Sequence, residues 1–427
     1  DRVLLVGTGT DPVTPRLLED IGGRAGQDGA NSTAERIEIL WAGNEPDAAA
    51  HLAFGAALGQ YRFLKYRTPA KDKPVTGEGE FVIRTPAGDA AARSFEAEWA
   101  PVPRAVTFAR DLISEPGVEI YPESFVARTR EAFAGLPNVR IDVLDVPAME
   151  ALGMGGILAV GRGSVRPPRL LVVRYDGGDG NEAPFAFVGK GITFDSGGIS
   201  LKDEDGMWKM KYDMSGAAAA AATVLALAGR RAPVNAVGIA ALAENMPSGS
   251  AGRPGDVVRT MSGKTFEVIS TDAEGRMVLS DAVWYAQQQF RPRVVIDLAT
   301  LTGSVRIALG DEYAGLFSRD DALAEALRKA GEASGEELWR LPLHPSYAKD
   351  LESPIADLRN SGGSGTGAGA GLGAYFIGSW VEESTPWAHL DIAGMAWREK
   401  EALPTVPEGA SGFGIRLLDR YVRQSAP

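Results

Sequence analysis

The sequence predicts an α/β protein in two parts. Residues 1–95 form a small N-terminal α/β domain, and residues 96–427 a larger domain with a central, mainly parallel sheet flanked by helices. Two observations carry this. Apolar runs without polar alternation recur through the second part, the pattern of strands buried on both faces. Helical stretches lie between several of them, which suits parallel strands joined by crossovers.

In order, residues 3–7 read as a buried strand, 15–25 as a helix, 36–41 as a strand and 46–61 as a helix. The polar stretch 71–79 reads as a loop. A strand over 81–84 and a long helix over about 88–113 lead into the second part. There the apolar runs 170–173, 185–188, 234–241, 266–269, 294–298 and 387–392 are expected strands. Residues 215–230, 277–289, 322–332 and a short stretch after Gly373 are expected helices. Residues 361–373 are a Gly/Ser/Ala run suited to a mobile flap.

The chain of 427 residues is 44% hydrophobic and 23% charged, which suits a globular core. No apolar run reaches the roughly 18 residues of a membrane span. The alanine-rich run 217–228 reads as a helix packed on a sheet. A net charge of −12 argues against nucleic acid or anionic membrane as a partner. There is no cysteine, so disulfides and thiolate metal sites are excluded, and a reducing cytoplasm is the expected location. No signal peptide is recognisable. The chain begins at Asp1 without a Met, and further residues are expected upstream.

Ser270-Thr271-Asp272-Ala273-Glu274-Gly275-Arg276 puts two carboxylates and a guanidinium on one loop between an apolar and a helical run. A second segment, Gly189-Lys190-Gly191-Ile192-Thr193-Phe194-Asp195-Ser196-Gly197-Gly198, follows a strand, with Lys202 and Asp213 beyond it. Lys190, Asp195, Asp272 and Glu274 are expected just past carboxyl ends of strands, the edge where α/β sheets gather ligands. Asp195, Asp213, Asp272 and Glu274 together would repel one another unless cations balance them. Two divalent ions about 3.5–4 Å apart would do so and form a hydrolytic arrangement. Oxygen-rich ligation without Cys or His in these segments suits Mn²⁺, Mg²⁺ or Zn²⁺.

Residues 188–202, 210–216, Glu244-Asn245-Met246-Pro247, Arg253-Pro254-Gly255-Asp256, 271–276, 299–303 and 389–394 resemble, in order and spacing, the cytosolic leucyl aminopeptidase family. The resemblance covers roughly residues 100–427, and the first 95 residues are short for that family's N-terminal domain. It implies a metal-dependent aminopeptidase that releases Leu and other apolar N-terminal residues with water activated by two metals. Asp195 and Glu274 would bridge the ions. Lys190, as a neutral amine, and Asp213 would complete one shell, and Asp272 the other. Lys202 would polarise the scissile carbonyl, and Arg276 would sit by the attacking water and hold a bicarbonate. Met210, Thr300, Gly303 and Ala393 would line the side-chain pocket, and the Leu301 carbonyl would accept from the substrate. A homohexamer is also implied. Ser270 departs from the usual Asn, and the loop 361–373 lacks the family's bulkier residues.

Plainer readings exist for each residue alone. Asp272 and Asp213 could cap helices, Lys190 could be a surface lysine and Arg276 an ion-pair partner. Gly7-Thr8-Gly9 hints at dinucleotide binding, but the third glycine is missing. Ser262-Gly263-Lys264-Thr265 lacks the leading glycine of a phosphate loop. Neither a His-Glu-x-x-His helix nor a Gly-x-Ser-x-Gly elbow is present. The alternatives are a DNA-binding or regulatory protein that keeps the fold with secondary peptidase activity, and a dehydrogenase built on the first strand.

Overall fold

A computed structural model describes residues 12–32, 36–68, 80–180, 182–363, 367–400 and 402–425. The expected strand at 3–7, the Gly7-Thr8-Gly9 turn and the loop at 71–79 lie outside these residues. The chain divides into two compact units, Asp1–Thr107 with Arg398–Ser411, and Phe108–Trp397 with Gly412–Pro427. The first unit thus runs past residue 95 and takes in a distant segment. The helical run from Gly88 to Ser114 has no compositional break to mark the change of contacts.

In the first unit, α1 (Pro15–Ala30) precedes β1 (Arg36–Leu40), and α2 (Pro46–Gly59) precedes β2 (Glu80–Arg84). Thr14 caps α1 by accepting from the Leu17 N–H. The strands pair in parallel. Gly22 lets α1 lie directly on α2, since a Cβ there would stand 2.0 Å from the Leu52 carbonyl oxygen.

The second unit is built on eight strands: β3 (Val139–Leu144), β4 (Arg169–Asp176), β5 (Phe185–Asp195), β6 (Asn235–Asn245), β7 (Val294–Ala299), β8 (Ala314–Ser318), β9 (Leu338–Arg340) and β10 (Trp387–Asp391). Their order is β9-β8-β10-β7-β5-β6-β4-β3. The four central strands β10, β7, β5 and β6 are parallel. Antiparallel pairs stand outside them, β8 with β10, β4 with β6 and β3 with β4. The sheet is therefore mixed around a parallel centre. β7 is buried along its whole length and β5 at all but one residue, as their unbroken apolar sequences require.

The expected strand at 266–269 forms only Thr265–Glu267, and not in this sheet. It pairs with Val257–Arg259 and Leu358–Arg359 in a separate three-stranded sheet. β3, β8 and β9 went unpredicted because they are flanking strands, β3 alternating in burial and β9 only three residues long.

Helices α3 (Ser215–Gly229) and α4 (Glu274–Phe290) pack on the parallel strands. Gly216 permits the approach of α3, since a Cβ there would lie 2.0 Å from the Leu298 carbonyl oxygen. A helix over Gly369–Gly378 begins before Gly373, so part of the expected flap is helical. Its glycines are sites of close packing: a Cβ at Gly371 would stand 2.5 Å from the Tyr347 ring.

Asp281, fully buried on α4, ties a turn and the start of the short helix Gly155–Gly161 to that helix. Its Oδ1 accepts from Met261 N–H at 2.8 Å and its Oδ2 from Ile157 N–H at 3.1 Å. Burial pushes its carboxyl up to about 7 from the ordinary 3.8, against the pull of the main-chain donors. A carboxyl raised on folding contributes most below its unfolded value and loses that contribution as pH rises through its folded value. Denaturant unfolding from pH 4 to 8 should therefore show stability falling with pH, less steeply in Asp281→Asn. That variant should also lose about 1–3 kcal/mol, because its amide nitrogen must face a main-chain donor.

Candidate metal centre

Lys190 lies within β5 rather than past its end, because the strand runs on to Asp195, its last residue. Asp213 follows the short helical turn Met207–Tyr212 and leads into α3, and Glu274 is the first residue of α4. A carboxylate suits that helix position, where the dipole is positive. Lys190 Nζ is 2.8 Å from Asp213 Oδ2, 2.7 Å from Glu274 Oε1 and 2.8 Å from the Thr300 carbonyl oxygen. Asp195, Asp213 and Glu274 each bring a carboxylate oxygen within 4.8 Å of the others.

Asp195 joins this group to a second one. Its Oδ2 is 2.8 Å from Lys202 Nζ, which also contacts Asp272 Oδ1. The loop between Asp195 and Lys202 turns at Gly197 and Gly198, with φ of 88° and 69°, a region that glycine adopts without strain. The two ends differ in access. The Lys190 side chain is 3% exposed, whereas Lys202 is 22% and Asp272 36% exposed. The cluster is therefore open to solvent on the Lys202–Asp272 side and closed around Lys190.

Four carboxylates face two ammonium groups, and the imbalance shows in their protonation. Burial, with the charges of Asp195 and Glu274, holds the Asp213 carboxyl well above the usual range. Burial and the same neighbours push Asp272 up to about 6. Burial alone would lower Lys190, but Asp213, Glu274 and Asp195 outweigh it and keep the amine protonated. Asp213 Oδ2 has that ammonium 2.8 Å away yet accepts no directed hydrogen bond among the described residues. A buried oxygen-rich set with spare negative charge and an unmatched lone pair fits divalent cations. Cations in place of the lysine proton would let Lys190 act as a neutral donor.

Arg276, in the first turn of α4, is 7% exposed. Its Nη1 donates to the Asn360 carbonyl at 2.9 Å, and its Nε has no hydrogen-bond partner among the described residues. Burial lowers it to about 10 despite Glu274 and Asp391. Thr300 donates through Oγ1 to Asp213 Oδ1 at 2.7 Å. The Met210 carbonyl accepts from the Asp213 N–H at 3.4 Å. Leu301 N–H and Ala393 N–H both donate to Asp391 Oδ1 at 3.2 Å. Gly303 opens the helix Gly303–Leu309, with open space where a Cβ would stand.

Other residues that hold the site received no role from the sequence. Asn245 Nδ2 donates to Asp195 Oδ1 at 2.8 Å and to the Thr271 carbonyl at 3.0 Å. Asp391 fixes Leu301, Thr302 and Ala393 together. Asn245 and Asp391 lie inside segments that carry the resemblance, which was the available signal. Asn360 had none, standing beside a low-complexity run.

The comparisons with known proteins agree. Residues 107–419 match the cytosol aminopeptidase family, catalytic domain. A probable cytosol aminopeptidase of Caulobacter vibrioides is 49% identical over 99% of this chain and 84% of its own length. One of Geobacter sulfurreducens is 47% identical over 99% and 85%. Among solved structures, the bottromycin maturation enzyme BotP in complex with Mn superposes with a TM-score of 0.86 at 35% identity, covering 97% of this chain and 88% of that one. A tomato leucine aminopeptidase mutant superposes with a TM-score of 0.86 at 32% identity, covering 98% and 81%.

A mixed sheet with this acidic cluster beside its parallel centre defines a hydrolase of the metallo-exopeptidase class. The chain belongs to the cytosol aminopeptidase family, and it is an aminopeptidase acting on peptides. The family's name carries the cytosolic location expected from the sequence, and among the described residues no helix is long and apolar enough to cross a membrane. The DNA-binding and dehydrogenase alternatives find no support in these relatives.

Gly275 gives a sharp test of the packing at the cluster. A Cβ there would stand 2.6 Å from Lys190 Cδ and 2.9 Å from Nζ, so Lys190 would have to move. Alanine favours the helix by about 1 kcal/mol over glycine. Gly275→Ala should therefore keep its melting temperature while hydrolysis falls about tenfold or more, as for a displaced site group. Unchanged turnover would show that Lys190 can yield without cost.

Proposed function

We propose that this aminopeptidase uses two divalent metal ions and prefers peptides beginning with Leu or another apolar residue. The observation that carries the reading is the cluster of four carboxylates around two lysines, three of the acids with oxygens within 4.8 Å of one another. Lys190, Asp195, Asp213, Asp272 and Glu274 would hold the ions. Mn²⁺ or Zn²⁺ are our first choices, with Mg²⁺ also suited to the oxygen-rich set. A manganese complex of the related BotP supports the first.

The ions would supply Lewis acidity for water and for the scissile carbonyl. The remaining steps fall to the chain. Lys202, on the open side and held protonated by the surrounding acids, donates to the carbonyl oxygen as negative charge develops there. Arg276, with a buried Nε lacking a partner among the described residues, holds a small anion such as bicarbonate beside the reacting water. Such an anion, which Arg276 would hold, would supply proton-transfer capacity at the site. Met210, Thr300, Gly303 and Ala393 would line the pocket for the first side chain, and the Leu301 carbonyl would accept from the substrate amine. The open space at Gly303 leaves room there.

We also propose the second compact unit as the catalytic domain, the first as a separate N-terminal domain, and a homohexamer as the assembly. Light scattering should give about six times the 45.1 kDa chain mass. A monomer would dismiss the assembly.

Hydrolysis of Leu-p-nitroanilide should be lost on chelation and restored by Mn²⁺. Glu274→Ala should abolish it. Lys202→Ala should lower it about 100-fold or more, as for a lost oxyanion donor, with metal still bound. Chelator-insensitive turnover, or none with any of the three metals, would sink the mechanism.

A further inference from the structure

Asn360 is fully buried at the end of the short strand Leu358–Arg359. That strand pairs in parallel with Thr265–Glu267, and Asn360 N–H adds one further bond, to the Glu267 carbonyl at 2.9 Å. The main-chain ladder stops there, and the side chain continues it. Oδ1 accepts from Ile269 N–H at 2.7 Å and from Ser270 N–H at 3.3 Å. Nδ2 donates to the Ser270 carbonyl at 2.7 Å and reaches the Ala273 carbonyl at 3.5 Å. The side-chain amide thus stands in for a peptide group opposite the loop that ends in Asp272 and Glu274. The Asn360 main-chain carbonyl also accepts from Arg276 Nη1 at 2.9 Å.

We propose that Asn360 is a positioning residue of the metal centre, its side chain fixing the loop that carries Asp272 and Glu274 while its carbonyl orients Arg276. This rests on the two-metal reading above. The geometry supports it on three counts. The loop 268–273 contains no regular strand or helix of its own, so its shape depends on outside partners. Among the described residues, Ser270 Oγ accepts only from Asp272 N–H, a bond inside the loop, so the Ile269–Ser270 backbone is held from outside by the Asn360 amide, just beyond the main-chain bonds that Val268 makes with Gly255 and Asp256. The contacts reach both sides of the site, the acids through the side chain and the arginine through the main chain. A main-chain contact survives substitution, so side-chain variants isolate the effect on the acids.

The test measures Mn²⁺ binding by calorimetry, alongside kcat, KM and the melting temperature, in wild type, Asn360→Ala and Asn360→Asp. Loss of a group that orients metal ligands costs roughly 10–100-fold in affinity or activity. Asn360→Ala should bind Mn²⁺ about 10–100-fold more weakly and lose kcat by a similar factor, with KM at saturating Mn²⁺ changed less than about twofold. Asn360→Asp keeps the volume and the acceptor but loses the donor, and should fall between the two. If Asn360→Ala does not fold, Asn360→Asp carries the comparison against wild type. Wild-type Mn²⁺ affinity and kcat in the folded variants would overturn the proposal. So would a loss of affinity seen only where the metal-free variant is already partly unfolded at the assay temperature, which a purely structural role predicts. Wild-type protein that binds no metal would overturn the two-metal reading itself, a distinct result.

Discussion

Everything at this site depends on the crowding of negative charge where β5, α3 and α4 converge. Asp195, Asp213 and the pair Asp272 and Glu274 come from three segments of the chain, and Lys190 and Lys202 answer them with positive charge. Such an arrangement is costly in a buried setting unless cations complete it. The rise of the Asp213 and Asp272 carboxyls expresses that cost. The fold holds the acids together regardless, because each is anchored at the end of an element or in a loop tied by hydrogen bonds.

Those ties are mostly neutral. Asn245 holds Asp195 and the Thr271 carbonyl, Thr271 Oγ1 donates to the Gly197 carbonyl at 2.6 Å, and Asn360 holds the loop before Asp272. Amides and hydroxyls can fix geometry without adding to the charge imbalance. Asp391, itself a buried acid, bonds to Leu301, Thr302 and Ala393 and so fixes two of the residues proposed for the substrate pocket. Glycines 216 and 275 remove the side chains that would hold α3 and α4 away from β7 and Lys190. The result is a dry end around Lys190 and a wetter end around Lys202, a polarity suited to a ligand shell behind and a substrate in front.

Much of this is legible in the sequence. The buried strands β5 and β7 and the helices α3 and α4 are readable because continuous apolar runs and helical periodicity are local properties. The acids stand out by their charge at expected strand ends, whereas the parts given to Lys190 and Lys202 come only from the resemblance to a known family. The strand near 266 belongs to a different sheet from the one expected, because three apolar residues do not say which partner they pair with. Lys190 sits inside a strand rather than past its end because the glycines beside it, which resemble a turn, instead let α3 pack closely against a continuing strand. The helix starting at Gly369 is hidden by the glycines of its first turns, whose weak helix propensity is overridden by packing against Tyr347 and Leu301.

By itself the sequence determined the α/β class, the absence of thiol chemistry, the acidic balance and the set of charged residues gathered at the site. Those follow from composition, periodicity and local motifs, which need no knowledge of distant partners. Only the tertiary structure decided which end of the cluster is open, that Asp195 joins the acids around Lys190 to Lys202, and that Asn360 stands against a loop some ninety positions earlier in the chain. Long-range pairing is set by the packing of whole elements, and a side chain that replaces a peptide group in a ladder leaves no periodic trace in the sequence around it.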